Sequence, residues 1–275
     1  MKFLSNFFAL AMIVTAFMAC EKNKKEVTPR SVTDSVSVPN APVQKCYLTK
    51  MERTSGRMFS FQYDANNKLT GAELIYPKNE ARNVRRTFSI ERNGANQIAR
   101  VINDNYDTLN KQVNTTVYTY QYDVAGKLTS FYVNDNRSAP TLLTFDRDQR
   151  LLKIAHPSGS YEEFSYDGKG NFVKLNEKFS NNDTVFSEEY FKNDDQKNPF
   201  TGLGEFFFLV GISAYSVGNP LEITVSGNGK KTNSVSFTYT YNTEGYPITS
   251  TSVNTSVYET VDTLTEHTTY QYYCK

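Results

Sequence analysis

The sequence predicts an all-β domain: an antiparallel meander of repeated hairpins that closes, or nearly closes, into a barrel. Two observations carry this prediction. A short unit of aromatic residues and aspartate recurs along the chain, and about sixteen runs of strand-forming residues are separated by clusters of Asn, Asp, Gly or Ser. The composition agrees, because 19 Tyr and 19 Phe among 275 residues are typical of strands.

The repeated unit is clearest at residues 116–133. Tyr118, Tyr120 and Tyr122 occupy alternate positions, so a strand places all three rings on one face. Residues 123–126 then supply a turn in which a glycine is free to adopt a positive φ. Weaker or stronger copies of the unit lie at residues 61–69, 88–94, 143–151, 164–172 and 239–247.

Closure of the sheet follows from the number of strands. Most connections are short, so antiparallel neighbours in a meander are the simplest topology. About sixteen strands are too many for a flat open sheet, so we expect a barrel, with a two-sheet β-sandwich as the alternative. The face opposite the aromatic rings carries Ser, Thr, Gln, Glu and Lys, which disfavours a membrane-spanning barrel, since such a barrel needs an apolar outer band of about 25 Å.

The start of the chain predicts export. A basic start and an apolar run indicate a secretory signal over residues 1–19, and the small residue before Cys20 is typical of a lipidated cysteine. The alternatives are an ordinary signal peptide with an incidental cysteine or a retained anchor helix. Residues 20–44 contain no aromatic residue and predict a flexible tether, which leaves residues 45–275 as a single β-domain.

One apolar stretch interrupts the repeats. Residues 199–215 lack period-two alternation and are too short to cross a bilayer as a helix. We predict a short buried helix or loop that packs on the aromatic face of the sheet. The alternative is a segment that inserts into a membrane or binds a partner.

Two cysteines frame the predicted domain, Cys46 in the first strand and Cys274 in the last. With Cys20 assigned to the lipid, they form an even pair in an exported protein, where disulfides persist. A bond requires Cα atoms within about 7 Å, which a meander allows only when its first and last strands are neighbours. The predicted disulfide and barrel closure therefore depend on each other. Two free cysteines buried in strands are the alternative.

Little in the sequence indicates catalysis. His156 and His267 match no metal-site spacing, and we expect both on the surface. Aspartates at the turns are explained by Asx turns, and the adjacent carboxylates at 162–163 and 188–189 point to opposite faces of a strand. We predict no enzyme activity, no cofactor and no metal. Without residues 1–19 the chain has 29 basic and 29 acidic residues, which offers no general attraction for nucleic acid.

The unit aromatic-x-Tyr-Asp-x-x-Gly-Lys-Leu resembles YD/RHS-type repeats. With Ala-Cys at 19–20, the start at 46–50, Asn-Pro-Phe at 198–200 and Gly-Asn-Pro at 218–220, the layout resembles a family of bacterial lipoproteins of unknown function, from gut-type Gram-negative bacteria, with a porin-like fold. The resemblance covers about residues 45–275. It implies a fold but no activity.

These observations favour a non-enzymatic envelope protein, tethered by lipid to the periplasmic or cell-surface face of the outer membrane, whose β-scaffold binds a glycan, a peptide or a protein. The alternative is a periplasmic carrier that holds an apolar or lipid ligand in the barrel cavity. The two differ in the role of residues 206–210, which either plug the cavity or act as a movable lid. The sequence leaves the oligomeric state open.

Four positions carry Asp, then Ser or Thr, then an aliphatic residue. This pattern resembles the O-glycosylation acceptor of the same bacterial group, and a sugar there would shield exposed loops. The alternative is that Asp-Thr merely ends a turn and begins a strand. The predicted acceptors are Ser35, Thr108, Thr184 and Thr263.

Overall fold

The computed structural model describes residues 45–77, 84–179, 185–201, 203, 206, 215–227, 230–256 and 263–275, so that the predicted signal, the tether, Cys20, Ser35 and Thr184 lie outside the described residues. Sixteen strands follow one another along the chain. They are β1 (Cys46–Arg53), β2 (Met58–Tyr63), β3 (Leu69–Ile75), β4 (Arg85–Arg92), β5 (Ile98–Tyr106), β6 (Gln112–Tyr122), β7 (Leu128–Val133), β8 (Thr141–Phe145), β9 (Leu151–Ala155), β10 (Ser160–Tyr166), β11 (Phe172–Phe179), β12 (Val185–Asn193), β13 (Pro220–Gly227), β14 (Lys230–Tyr241), β15 (Pro247–Ser256) and β16 (Thr263–Cys274).

Every strand pairs antiparallel with its neighbours in sequence, and β1 pairs with β16, which closes the sheet into a barrel. The predicted fold class is confirmed, and the sandwich alternative is wrong. At the seam, Lys45 and Lys275 exchange two backbone hydrogen bonds of 3.0 Å. Cys46 lies opposite Cys274 in the register, with a Cα–Cα distance of 4.0 Å and the two sulfurs 2.04 Å apart. The cysteine pair therefore lies at disulfide distance across the seam.

The repeated turns share one construction. Asp64 Oδ1 accepts hydrogen bonds of 2.8 Å from the backbone N–H groups of Asn66 and Lys68, and Asn67 adopts a positive φ of 60°. This is the predicted Asx turn, and the positive φ belongs to the bulge that joins the two strands in register. The same arrangement recurs at residues 93–97, 107–111, 123–127, 146–150 and 167–171.

The two ends of the barrel differ in their connections. The connection between β12 and β13 contacts the neighbouring turns through its described start and end: Lys197 N–H donates to the Gly245 carbonyl at 3.0 Å, and Gly218 N–H donates to Asn171 Oδ1 at 2.8 Å. We call this the capped end. It also carries residues 45 and 275 and the turns at 64–68, 93–97, 123–127, 146–150, 167–171 and 242–246. The opposite end, which carries the turn at 107–111, is the far end.

Inward side chains of β1 to β11 form one apolar cluster. Leu48, Leu151, Phe172 and Phe206 are each at most 1% exposed, and burying such a side chain contributes about 1.5–3 kcal/mol. Phe206 belongs to the apolar stretch at 199–215, so at this residue the stretch packs on the aromatic face as predicted. Residues 202, 204–205 and 207–214 lie outside the described residues.

Tyrosines that face inward make one recurring contact, in which the hydroxyl donates to a carbonyl on the preceding strand. Tyr63 bonds Leu48 and Tyr166 bonds Leu151, each at 2.9 Å. Because an unpaired buried carbonyl is costly, these positions favour tyrosine over phenylalanine. Burial raises the pKa of both tyrosines, which keeps the hydroxyls protonated as donors. The other pairs are Tyr122–Ile98, Tyr239–Pro220 and Tyr272–Pro247.

The outer wall is polar. Ser236, Thr238 and Thr240 alternate with the inward aromatic residues of β14, and ion pairs cover other strands. On β14, the Ser and Thr side chains that the sequence places opposite the aromatic rings therefore lie on the outer wall. The ion pairs on this wall include Lys50–Glu52, Glu91–Arg100, Lys174–Glu188, Lys178–Glu163 and Lys192–Glu222.

Candidate functional site

A cleft of about 800 Å³ opens at the capped end. Described residues of the connection between β12 and β13 line one side, and residues at the capped ends of β1 to β5 line the other. This volume lies in the range of clefts that hold small ligands, about 300–1,000 Å³. The polar and aromatic residues that line it are Lys45, Tyr47, Tyr63, Asn67, Lys68, Arg92, Asn96, Gln97, Asp195, Gln196, Lys197, Asn198, Thr201, Phe206 and Tyr246.

A buried polar network holds the segment that forms one side of the cleft. Asn219, which is 2% exposed, donates from Nδ2 to Asp194 Oδ1 and to the Lys197 carbonyl, both at 3.2 Å. Tyr241 Oη donates to Asp194 Oδ2, and burial together with this bond raises the pKa of the tyrosine. A Cβ at Gly218 would lie 2.1 Å from the Asp194 carbonyl oxygen, so only glycine fits there.

The motifs at 198–200 and 218–220 belong to this one structure. Asn198, also 2% exposed, donates from Nδ2 to the Ser216 carbonyl at 3.1 Å and accepts from the Phe200 N–H at 2.9 Å. Its backbone N–H donates to the Val217 carbonyl at 3.1 Å. The two motifs therefore fix the start and the end of the segment against each other and shape the wall of the cleft.

Aromatic rings and free amides face the same cleft. The rings of Tyr47 and Tyr63 meet edge to face, with centroids 5.5 Å apart, and Tyr246 lies on another side. The side-chain amide of Asn96 makes no hydrogen bond to any residue that the structure describes, and the same is true of Gln196. An amide offers two donors and one acceptor, so these groups are available to a ligand with hydroxyls.

Positive charge collects at the cleft. Lys68, Arg92 and Lys197 line it, with Lys45 at the edge. The lining acid that the structure describes, Asp195, pairs outside the cleft with Lys169, at 2.7 Å. The cleft is therefore suited to an anionic or hydroxyl-rich ligand.

A second polar cluster lies on the inner wall, away from the cleft. Glu162 lies opposite Glu177 in the β10–β11 register, and Glu189 follows on β12. Burial, with the charges of Glu177 and Glu162, raises the pKa of Glu189 to about 7. Burial, with Glu162, also raises the pKa of Glu177. The described residues contain no group of three His, Cys, Asp or Glu that could hold a metal ion.

Sequence reasoning missed this inner cluster. It placed Glu162 and Glu189 in adjacent pairs that point to opposite faces, which is how they lie, but it did not ask which face each one takes. The signal was present, because Glu162 shares its strand phase with Phe164 and Tyr166. His156 is partly buried: its Nε2 lies 3.0 Å from Glu162 Oε1, and its side chain is 20% exposed.

The remaining predicted residues are scattered. His267 is exposed on β16 and contacts Thr251 through Nδ1 at 2.9 Å. Thr108 is exposed in the turn at 107–111, and Thr263 is exposed at the first position of β16. Both threonines lie at the far end, away from the cleft, and Ser35 and Thr184 lie outside the described residues. Among the described residues, no helix is long and apolar enough to cross a membrane.

No protein-family model matches the chain, and no curated protein matches it. Among solved structures, the barrel is similar to a porin-like protein from Bacteroides uniformis, with a TM-score of 0.52, 12% identity, and coverage of 82% of this chain and 98% of that chain. A porin-like protein from Bacteroides vulgatus gives a TM-score of 0.39, 14% identity, and coverage of 83% and 99%. At this identity the first match shows a shared porin-like fold alone.

Proposed function

We propose that this chain is a non-enzymatic barrel of the bacterial cell envelope that binds a glycan in the cleft at its capped end. In this proposal residues 1–19 direct export, Cys20 carries the lipid, and residues 20–44 tether the domain to the outer membrane, as the resemblance to lipoproteins with a porin-like fold implies. The observation that carries the proposal is the cleft of about 800 Å³, which combines tyrosine rings with unengaged amides.

A glycan fits this combination of groups. A sugar ring has C–H faces that pack on an aromatic ring and hydroxyls that need both donors and acceptors. Tyr47 and Tyr246 supply rings, and Asn96 and Gln196 supply amides. The structure suits a peptide less well, because peptides commonly bind by adding a strand to a free sheet edge, and a closed barrel has no such edge.

The interior supports a plugged barrel over a carrier. A carrier needs a cavity within the barrel, whereas Phe206 packs with the inward side chains of β1 to β11 in one apolar cluster. Residues 207–210, the rest of the predicted plug or lid, lie outside the described residues. Native mass spectrometry of the purified protein tests this point, since a co-purifying lipid would favour the carrier.

The porin-like fold by itself does not argue for a pore. A lipid-facing barrel carries an apolar band, whereas the ion pair between Lys178 and Glu163, at 2.6 Å, and that between Lys174 and Glu188, at 2.9 Å, lie on the outer wall of this one. A polar outer wall agrees with a domain that is held beside a membrane by a lipid.

Glycan binding is tested by titrating oligosaccharides into the purified β-domain with its disulfide intact. We expect Tyr246→Ala to weaken binding about tenfold or more, because loss of one aromatic stacking contact costs about 1–3 kcal/mol. The matched control is Tyr190→Ala, on the outer wall and 44% exposed, which should bind as the parent does. Equal affinity of both variants, at equal thermal stability, would contradict the proposal.

We also propose O-glycosylation at Ser35, Thr108, Thr184 and Thr263. The exposure of Thr108 and Thr263 supports it, because both hydroxyls are accessible at the far end. The test is the intact mass of protein purified from its native host. A mass above that of the bare lipidated chain is expected, and the bare mass would rule the modification out.

A further inference from the structure

We infer that the glycan held at the capped end is acidic, an oligosaccharide that carries carboxylate or sulfate groups. This inference rests on the proposed function and names the ligand class for the same cleft. It comes from a contrast in how lysines are neutralised on the barrel wall and in the cleft.

On the wall, lysines and arginines commonly have carboxylate partners. Lys174 pairs with Glu188 at 2.9 Å. The interior of the far end follows the same rule, where Arg53 Nη1 lies 3.1 Å from Glu266 Oε2. Other pairs are Arg85–Glu73, Arg100–Glu91, Arg150–Asp146, Lys153–Glu163, Lys178–Glu163 and Lys192–Glu222.

In the cleft the lysines have no such partner among the described residues. Within the described residues, Lys68 and Lys197 make no ion pair, and the ammonium of Lys197 lies 5.0 Å from the ring centroid of Tyr246. Arg92 also lines the cleft and donates to the carbonyl oxygens of Leu69 and Asn96, at 3.2 and 3.1 Å. The nearby acid, Asp195, is engaged by Lys169. Lys68 and Lys197 therefore line one cleft without an ion-pair partner among the residues that the structure describes.

This arrangement favours an anionic ligand for two reasons. Cations of one sign in a concave site focus the field and raise the local concentration of anions. An ammonium bound to a carboxylate or sulfate makes a charge-assisted hydrogen bond, which is stronger than a neutral one. Since the whole chain has a formal net charge of only +1, the attraction is local to the cleft.

The shape of the site separates this ligand from an anionic membrane. A membrane surface is broad and needs a flat or convex basic patch, whereas these cations line a cleft between two parts of the chain, alongside the rings of Tyr47 and Tyr63. A chain of sugars that carries acid groups can enter such a cleft, pack on the rings and reach the lysines.

The experiment is calorimetric titration of the β-domain with three hexasaccharides: oligogalacturonate, which carries carboxylates, chondroitin sulfate, which carries both carboxylates and sulfates, and neutral maltohexaose. We expect an acidic probe to bind at least about tenfold more tightly than maltohexaose, and its affinity to fall as salt rises from about 50 to about 300 mM. Binding of chondroitin sulfate without oligogalacturonate would assign the site to sulfate, and binding of both to carboxylate.

Substitutions sharpen the test. Lys68→Gln and Lys197→Gln should each weaken the acidic probe about five- to tenfold, through loss of one charge-assisted contact, and leave maltohexaose unaffected. Lys231→Gln is the matched control, because Lys231 is exposed on β14 near the far end. Thermal unfolding of each variant verifies that the fold is kept.

The outcomes separate the two claims. Equal binding of acidic and neutral probes, insensitive to both lysine substitutions, would overturn the acidic ligand and leave glycan binding intact. If none of the three probes bound while vesicles of phosphatidylglycerol and phosphatidylethanolamine did, the cleft would be a membrane contact and both claims would fall.

Discussion

The two halves of the barrel interior differ in chemistry, and single strands pass from one chemistry to the other. On β10 the inward residues run from Tyr166 near the capped end to Glu162 toward the far end. On β5 they run from Ile98 to Asn105. On these two strands the capped half thus carries rings and aliphatic side chains, and the far half carries carboxylates and amides.

The comparison shows that the most deeply buried apolar side chains lie in the half of the barrel that carries the candidate site. In the capped half, apolar contacts stabilise the fold and hold the cleft in shape. In the far half, polar groups pair with one another, as Asn105 Nδ2 does with Asn114 Oδ1 at 2.6 Å, and such pairs contribute little net stability because both partners must leave water. We therefore expect substitutions to have unequal effects in the two halves.

Removing the seam bond should have the largest effect. Cys46 and Cys274 are 228 residues apart in sequence, and chain-entropy estimates for so long a loop give about 5 kcal/mol as an upper figure. We expect the Cys46→Ser/Cys274→Ser variant to unfold at a markedly lower urea concentration than the parent. Alkylation of the unreduced, denatured parent provides the check, because two reactive thiols would contradict the bond.

Opening a cavity in the capped half should come next. Phe172 is 1% exposed, so Phe172→Ala should lower the free energy of unfolding by about 3–5 kcal/mol in urea titrations. Leu142→Ala is the matched control, because Leu142 is 53% exposed on β8 and should change stability by less than about 0.5 kcal/mol. Similar values for the two variants would remove the contrast between core and wall.

The inner carboxylates of the barrel should give a pH dependence. The pKa of Glu189 in the folded state, about 7, exceeds its ordinary value of 4.5, so the folded protein binds the proton more tightly than the unfolded chain. Stability from this group is then fully present below about pH 4.5 and is lost as the pH rises to about 7, by up to about 3 kcal/mol.

Glu189→Gln tests this pH dependence. The variant should flatten the fall in unfolding free energy between about pH 5 and about pH 8. Glu188→Gln removes the outer ion pair with Lys174 and should keep the fall in unfolding free energy, because Glu188 points to the outer wall and Glu189 to the interior. A parent protein whose stability rises with pH over this interval would contradict the assignment.

A single hydroxyl should give the smallest effect. Tyr166→Phe leaves the Leu151 carbonyl without its partner, which should cost about 1–3 kcal/mol in denaturant unfolding. Tyr190→Phe loses only an exposed bond of 3.3 Å to Glu188 and should be close to neutral. Equal costs would show that the inward tyrosines act by packing alone.

Much of the fold could be predicted from the sequence because its signals are local. The alternation of Tyr118, Tyr120 and Tyr122 predicts a strand and its inward face, and Asp123 predicts the turn that follows. Closure is predicted from the number of strands and from the positions of Cys46 and Cys274, which are a long-range signal.

The candidate site could not be predicted, because it depends on where distant segments meet. Lys68 and Lys197 belong to different connections and share a cleft only once the start of the connection after β12 packs at the capped end. The cluster of inner carboxylates could not be predicted either, because it depends on the register between three strands, which local periodicity does not supply.

The central claim is that a glycan binds in the cleft at the capped end, and hydrogen exchange with and without saturating oligogalacturonate tests it most directly. We predict slower exchange of the backbone amides at 93–97 and 194–198, which border the cleft, and unchanged exchange in the turn at 107–111, at the far end. Protection confined to the far end, or spread evenly over the barrel, would contradict the claim.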